Sequence, residues 1–164
     1  MTTHGSFYGG ESTLLQSNVF KIYVADGGLH FARVADRFYK ELLESGQPNA
    51  LLFGAGGAAM KHGVMQPAVR KQAELEARYD ALEPGTADFI GVDKRNFSIR
   101  SGEVLQAKLA KVTTMTQGPG RVGFLELQTN NGKKRRFTLT SSLSPQEIEQ
   151  LIRKALPSVE GSLL

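Results

Sequence analysis

The feature that most constrains this chain is a pair of alternating runs, Val19-Phe20-Lys21-Ile22-Tyr23-Val24 and Leu29-His30-Phe31-Ala32-Arg33-Val34, joined by Ala25-Asp26-Gly27-Gly28. Side chains along a strand point to opposite faces in turn, so a period-two run that stops at Asp-Gly and then resumes reads as a β-hairpin. With Asp26-Gly27 as a two-residue turn, Val24 faces Leu29 and Ile22 faces Phe31 on one side. The other side sets Tyr23 beside His30 and Lys21 beside Ala32, a mixed surface that the pattern predicts to be solvated.

A second hairpin is predicted from Val122 to Thr140, around Asn130-Asn131-Gly132. A two-residue Asn131-Gly132 loop would oppose Leu127 to Arg136 and throw the apolar residues of the two strands onto different faces. A three-residue loop with Gly132 in the left-handed conformation pairs Leu125 with Phe137 and Glu126 with Arg136, and both faces then agree. The same register sends Lys134 and Arg136 to one face, Lys133 and Arg135 to the other.

Asp88 to Val92, Asn96 to Arg100 and Val104 to Val112 read as further short strands, with Leu105, Ala107 and Leu109 alternating inward, for about seven strands in all. Ser144-Pro145-Gln146-Glu147 supplies an N-cap, a proline at the first helical position and the Glu of a capping box. Leu143 and Ile148 are placed as its hydrophobic staple. Ile148, Leu151, Ile152 and Ala155 then form one apolar stripe, and Pro157 ends the helix. The stretch from Asp36 to Leu82 reads as helical material. Arg37 to Glu44 carries Phe38, Tyr39, Leu42 and Leu43 before the stop at Gly46. Pro67 to Leu82 is poor in apolar residues and is predicted to be a largely exposed helix, supported by a Glu74 and Arg78 pair one turn apart.

In order and turn chemistry the chain resembles the bacterial pleckstrin-homology-like domains. The residues that carry the resemblance are the strands around Ala25-Asp26-Gly27-Gly28-Leu29, the entry Asp93-Lys94-Arg95-Asn96-Phe97-Ser98-Ile99, and Leu125-Glu126-Leu127, Asn131-Gly132-Lys133-Lys134 and Phe137-Thr138-Leu139 before the last helix. The resemblance implies an α+β, mainly β fold: a seven-stranded bent antiparallel barrel closed by a C-terminal helix, with a helical insertion between strands 2 and 3. One domain would span 1–164, with the barrel at 18–35 and 86–156, the insertion at 36–82, and flexible ends at 1–17 and 157–164. It also implies a non-enzymatic binding module that engages lipid headgroups, peptides or another protein. Eukaryotic relatives that bind phosphoinositides use cations on and between the first two strands. Here that turn is acidic and short, with Lys21 and Arg33 the nearby cations, so that particular mode is not expected.

Charge narrows the partners. Residues 1–88 carry 8 basic and 10 acidic side chains, whereas residues 91–136 carry 10 basic and 3 acidic. The candidate anion- or partner-binding residues are therefore Lys94, Arg95, Arg100, Lys108, Lys111, Lys133, Lys134, Arg135 and Arg136. Such a stretch attracts a protein or an anionic lipid surface. The alternative is a nucleic-acid binder using 94–136 as its footprint, although only Phe97, Phe124 and Phe137 lie nearby to stack on bases. Four cations at a hairpin tip also keep an edge soluble, a role that requires no ligand.

The apolar run 50–60 has eleven residues with three glycines, short of the roughly 20 that a membrane span requires. Within it, Gly54-Ala55-Gly56-Gly57-Ala58-Ala59 spells a dinucleotide fingerprint without the strand-helix-strand context and the later acidic residue that the chemistry needs. Its small residues fit close packing against the sheet or a second copy of the chain, so a homo-oligomer through 50–60 is one expectation. Leu51, Leu52 and Phe53 are candidates for that contact or for a membrane interface. Cys is absent, and His4, His30 and His62 lack ligand spacing. No cofactor, metal or small-molecule substrate is expected, and no residue set carries an enzymatic mechanism. Residues 1–17 lack an export pattern, which predicts a cytoplasmic protein, at most peripheral at a membrane.

Overall fold

A computed structural model describes residues 2–12, 17–36, 66–113 and 120–164. The elements are β1 (Thr3–Ser12), β2 (Ser17–Ala25), β3 (Gly28–Ala35), α1 (Gln66–Asp80), α2 (Ala87–Gly91), β4 (Phe97–Arg100), β5 (Val104–Lys111), β6 (Arg121–Thr129), β7 (Lys134–Thr140), α3 (Pro145–Ala155) and β8 (Glu160–Gly161). They build an α+β, mainly β structure around one sheet of order β4-β3-β2-β1-β7-β6-β5-β8. Every pairing is antiparallel except β5 with β8.

The expected closed seven-stranded barrel is corrected to this open, mixed sheet of eight strands. The helices expected between strands 2 and 3 lie between strands 3 and 4 of the sheet, because residues 3–12 add a strand ahead of the Asp26-Gly27 hairpin, and α1 and α2 follow β3. Two local misreadings produced the difference. Residues 3–12, expected to be a flexible end, form a central strand between β2 and β7. Asp88 to Val92, expected to be a strand, falls on α2, because the Thr86 hydroxyl caps the turn by accepting the Phe89 N–H at 3.4 Å.

Both hairpins form in the predicted registers. Val24 pairs with Leu29 and Ile22 with Phe31. Leu125 pairs with Phe137 and Glu126 with Arg136, with Gly132 at φ +81. The alternation divides β2 and β3 between two cores. Phe20, Ile22, Val24, Leu29, Phe31, Leu125, Leu127, Phe137 and Leu139 join Ile148, Ile152 and Ala155 of α3 in the larger one. The capping box at Ser144 and Glu147 starts α3 as read from the sequence, and hydrogen bonds from Ser144 hold the Glu147 carboxyl below its ordinary value.

The opposite face of β2 and β3 is not solvated. Val19, Tyr23, Ala32 and Val34 pack against Tyr79 of α1 and Phe89 of α2 in a second core. Asn96 joins the layers: its Nδ2 donates to the Phe89 carbonyl at 2.9 Å, while its Oδ1 accepts the Arg33 N–H at 2.8 Å. The helix at 67–82 is therefore half embedded, and both Gln72 and Tyr79 are buried.

The Leu105 expectation is also corrected. A register shift between Val104 and Gln106 places a bulge at this point, and Leu105 turns out to 69% exposure while Ala107 and Leu109 stay buried. Among the described residues no helix is long and apolar enough to cross a membrane. The predicted helix 37–44, the glycine run 54–59 and the candidates Leu51, Leu52 and Phe53 lie outside the described residues.

Candidate functional site

Alternation that buries Leu125, Leu127 and Phe137 also dictates what the back of the same strands presents. Across β5, β6 and β7 the outward residues form three rungs: Gln106, Gln128 and Lys134; Lys108, Glu126 and Arg136; Ala110, Phe124 and Thr138. The first two rungs, with Leu127 and Arg135, border a groove of about 320 Å³. Lys108, Lys134 and Arg136 are exposed on this face, with Glu126 of β6 and Glu160 of β8, the partner of Lys108, as the acids beside them. Arg136 Nε lies 3.4 Å from Glu126 Oε1, and its guanidinium carbon stands 4.5 Å from the Phe124 ring centre. The guanidinium thus lies over the aromatic ring beside the Glu126 carboxylate.

The remaining candidates go elsewhere. Arg135 turns to the core side of β7, where its guanidinium carbon sits 3.9 Å from the Phe97 ring centre and Nη1 donates to Glu11 at 3.3 Å. Lys133 borders the same side. Arg95, beside Lys94 in the turn after α2, meets Asp36 at 3.7 Å and joins a cluster in which Arg33 contacts both Asp36 and Asp93. Arg100 ends β4, its N–H held by Glu103 at 3.0 Å, and Lys111 ends β5 opposite Gly123. The structure therefore brings together three of the nine predicted cations and disperses six.

Sequence reasoning set Glu126 against Arg136 and placed Phe124 nearby, but missed Gln106 and Gln128 as neighbours of those three. The signal was present in alternation: once Glu126 is set against Arg136, Gln128 must oppose Lys134.

A second polar cluster docks α1. Tyr8 donates to Glu76 at 2.6 Å, Tyr23 donates to Asp80 at 2.6 Å, and Lys21 reaches Asp80 at 2.7 Å. Burial, reinforced by the Asp80 hydrogen bond, raises the Tyr23 hydroxyl far above its ordinary value. Burial works against the Asp80 carboxylate, but the Lys21 and Tyr23 donors together hold it below the usual range. These charges are spent within the fold, which distinguishes them from the open face of β5 to β7.

Searches against protein-family models, curated proteins and solved structures find no match for this chain.

Proposed function

We propose that this chain is a binding module, with no chemistry of its own, that engages an anionic surface of a membrane or a protein partner through the outer face of β5, β6 and β7. The observation that supports the reading is the convergence of Lys108, Lys134 and Arg136 on one exposed face, beside the acids Glu126 and Glu160. Kinship with pleckstrin-homology-like domains belongs to the same proposal, and its support is the order of turns and the terminal helix.

Magnitude sets the expected behaviour. A cation close to an anionic bilayer contributes about 1 kcal/mol, so three give about 3 kcal/mol, or about a hundredfold preference. Such binding is reversible and weakens with salt. Nucleic acid fits this face less well, because Phe124, its aromatic residue, already lies under Arg136.

Cosedimentation with vesicles, with and without anionic lipid, beside mobility shifts on duplex and single-stranded DNA, tests the reading. Retention by anionic vesicles, or by an acidic protein when vesicles fail, supports it. Preferential retention of DNA, or indifference to all three, overturns it.

A further inference from the structure

The sheet has two edges, and the chain treats them differently. At β5 the edge is taken by β8, which pairs at Lys108 and Leu109 while buried Leu163 packs close to Gly123. Arg153 holds this strap by donating to the carbonyls of Val159 and Gly161 at 2.9 and 2.7 Å. At the far side, among the described residues, no strand pairs with the outer edge of β4.

The direction of that edge follows from its ladder. Ser101 N–H donates to the Gly27 carbonyl at 2.8 Å, which makes 27 and 101 a hydrogen-bonded pair. Bonded and non-bonded pairs alternate, so Leu29 with Ile99 and Phe31 with Phe97 exchange bonds, while Ser98 and Arg100 turn their N–H groups outward. Arg100 confirms the direction independently, because its N–H is taken by Glu103 Oε2 at 3.0 Å. A carboxylate already fills one of the two acceptor positions along this edge.

Beside the edge lies a cleft of about 230 Å³, separating β4 from the end of the β6–β7 hairpin. Phe97, Ile99 and Leu127 give it apolar walls, and Lys133 and Arg135 line it against the single acid Glu103. Outward backbone groups, apolar walls and the exposed ammonium of Lys133, beside an Arg135 already paired with Glu11, together describe one kind of occupant.

We infer that an extended acidic segment of a partner protein enters this cleft and adds to β4 as a strand, with main-chain bonds to Ser98 and a carboxylate facing Lys133. This site lies on the side of β7 opposite the outer face, so its recognition is separate from the anionic-surface binding proposed above. The main-chain bonds supply affinity, and alternate side chains supply choice.

The test uses the full chain and a fluorescein-labelled peptide alternating Glu and Val, read by anisotropy. The same peptide with every amide N-methylated cannot donate main-chain hydrogen bonds, and the protein is unchanged. The one lost bond, from a peptide N–H to the Ser98 carbonyl, predicts a weakening of about fivefold. Lys133→Glu should weaken the unmodified peptide to a similar degree, while Lys134→Glu on the outer face leaves it unchanged. Absence of binding, or equal binding of the N-methylated peptide, overturns the inference. Loss through Lys134→Glu with no effect of Lys133→Glu also overturns it, and would place the acidic peptide on the outer face instead.

Discussion

His30 and Ser98 face one another across β3 and β4, with Nδ1 2.8 Å from the serine Oγ, while the other ring nitrogen, Nε2, is buried without a partner. Gly85 lies against the ring, so close that a Cβ there would stand 2.5 Å from Cε1. A second proton would place a charge on an imidazole that lacks an acidic neighbour to receive it.

Burial, and then the nearby charge of Arg100, holds the His30 pKa below the ordinary 6.5. The unfolded chain therefore binds this proton at a higher pH than the folded chain does. The stabilisation is present in full above the unfolded value and is lost as pH falls from there through the lowered folded value. Thermal unfolding followed from about pH 8 to about pH 5 should show stability falling through this window. In His30→Gln the slope across the window should flatten, whatever its absolute stability; parallel slopes would count against the assignment.

Gly132 makes a second prediction possible because its two penalties separate. It sits at φ +81, yet a Cβ added there would meet no atom within 4 Å. Any cost of substitution is then backbone strain alone. Gly132→Val should destabilise the fold by about 1 kcal/mol or more, and Gly132→Asn by clearly less, since Asn tolerates the left-handed region better. Urea midpoints measure both, and equal losses would show that shape, not φ, governs the turn.

The same distinction explains what was legible in the sequence. Both hairpin registers and the capping box could be read because turn residue, alternation and cap each act over a few neighbouring positions. β1 could not: it reads Thr3-His4-Gly5-Ser6-Phe7-Tyr8-Gly9-Gly10, with hardly any apolar signal. Its glycines answer to distant partners, since a Cβ at Gly9 would approach Ile22 Cδ1 to 2.6 Å. Missing that strand displaced the numbering and made a barrel seem complete at seven. The back face of β2 and β3 misled in the opposite way, because Lys21 and Tyr23 look like solvent residues until Asp80 is brought to them. At the candidate site, alternation placed Lys134 beside Arg136 correctly, but net charge along a stretch could not tell which cations share a face.

The two cores predict that α1 can open separately. Asp80 receives Lys21 and Tyr23, and Lys21 has a side chain only 12% exposed. Asp80→Ala leaves both donors without this acceptor, at a cost of about 1 to 3 kcal/mol, while Asp80→Asn keeps one acceptor and should cost less. The larger core, with α3, lies on the other face and does not include these residues. Amide exchange should therefore accelerate in α1 and leave β6 and β7 protected. Uniform acceleration across the sheet would show that the two cores melt together.

Asn96 tests the junction of those layers. Its amide serves Arg33 N–H, the Phe89 carbonyl and the Tyr79 hydroxyl, the last with Nδ2 at 3.0 Å. Asn96→Leu keeps similar bulk but strands these groups in a buried place, which should cost about 3 kcal/mol. Denaturation by urea measures this, and a loss under 1 kcal/mol, by the same reasoning, would mean that water or relaxation replaces the amide.

The outer face yields the sharpest functional comparison. Lys134 and Arg136 share it, whereas Arg135 is already engaged by Glu11 and Phe97 on the other side. At about 1 kcal/mol per cation, replacing Lys134 and Arg136 with Gln should reduce partition onto anionic vesicles by about thirtyfold. Replacing Lys133 and Arg135 removes the same formal charge from the chain and should cost less, because that charge faces the cleft. If net charge alone governed attraction, the two pairs would lose equally, and the outer face would have no special standing. Vesicle titrations of both variants, each checked for an unchanged fold by thermal unfolding, decide between geometry and charge count.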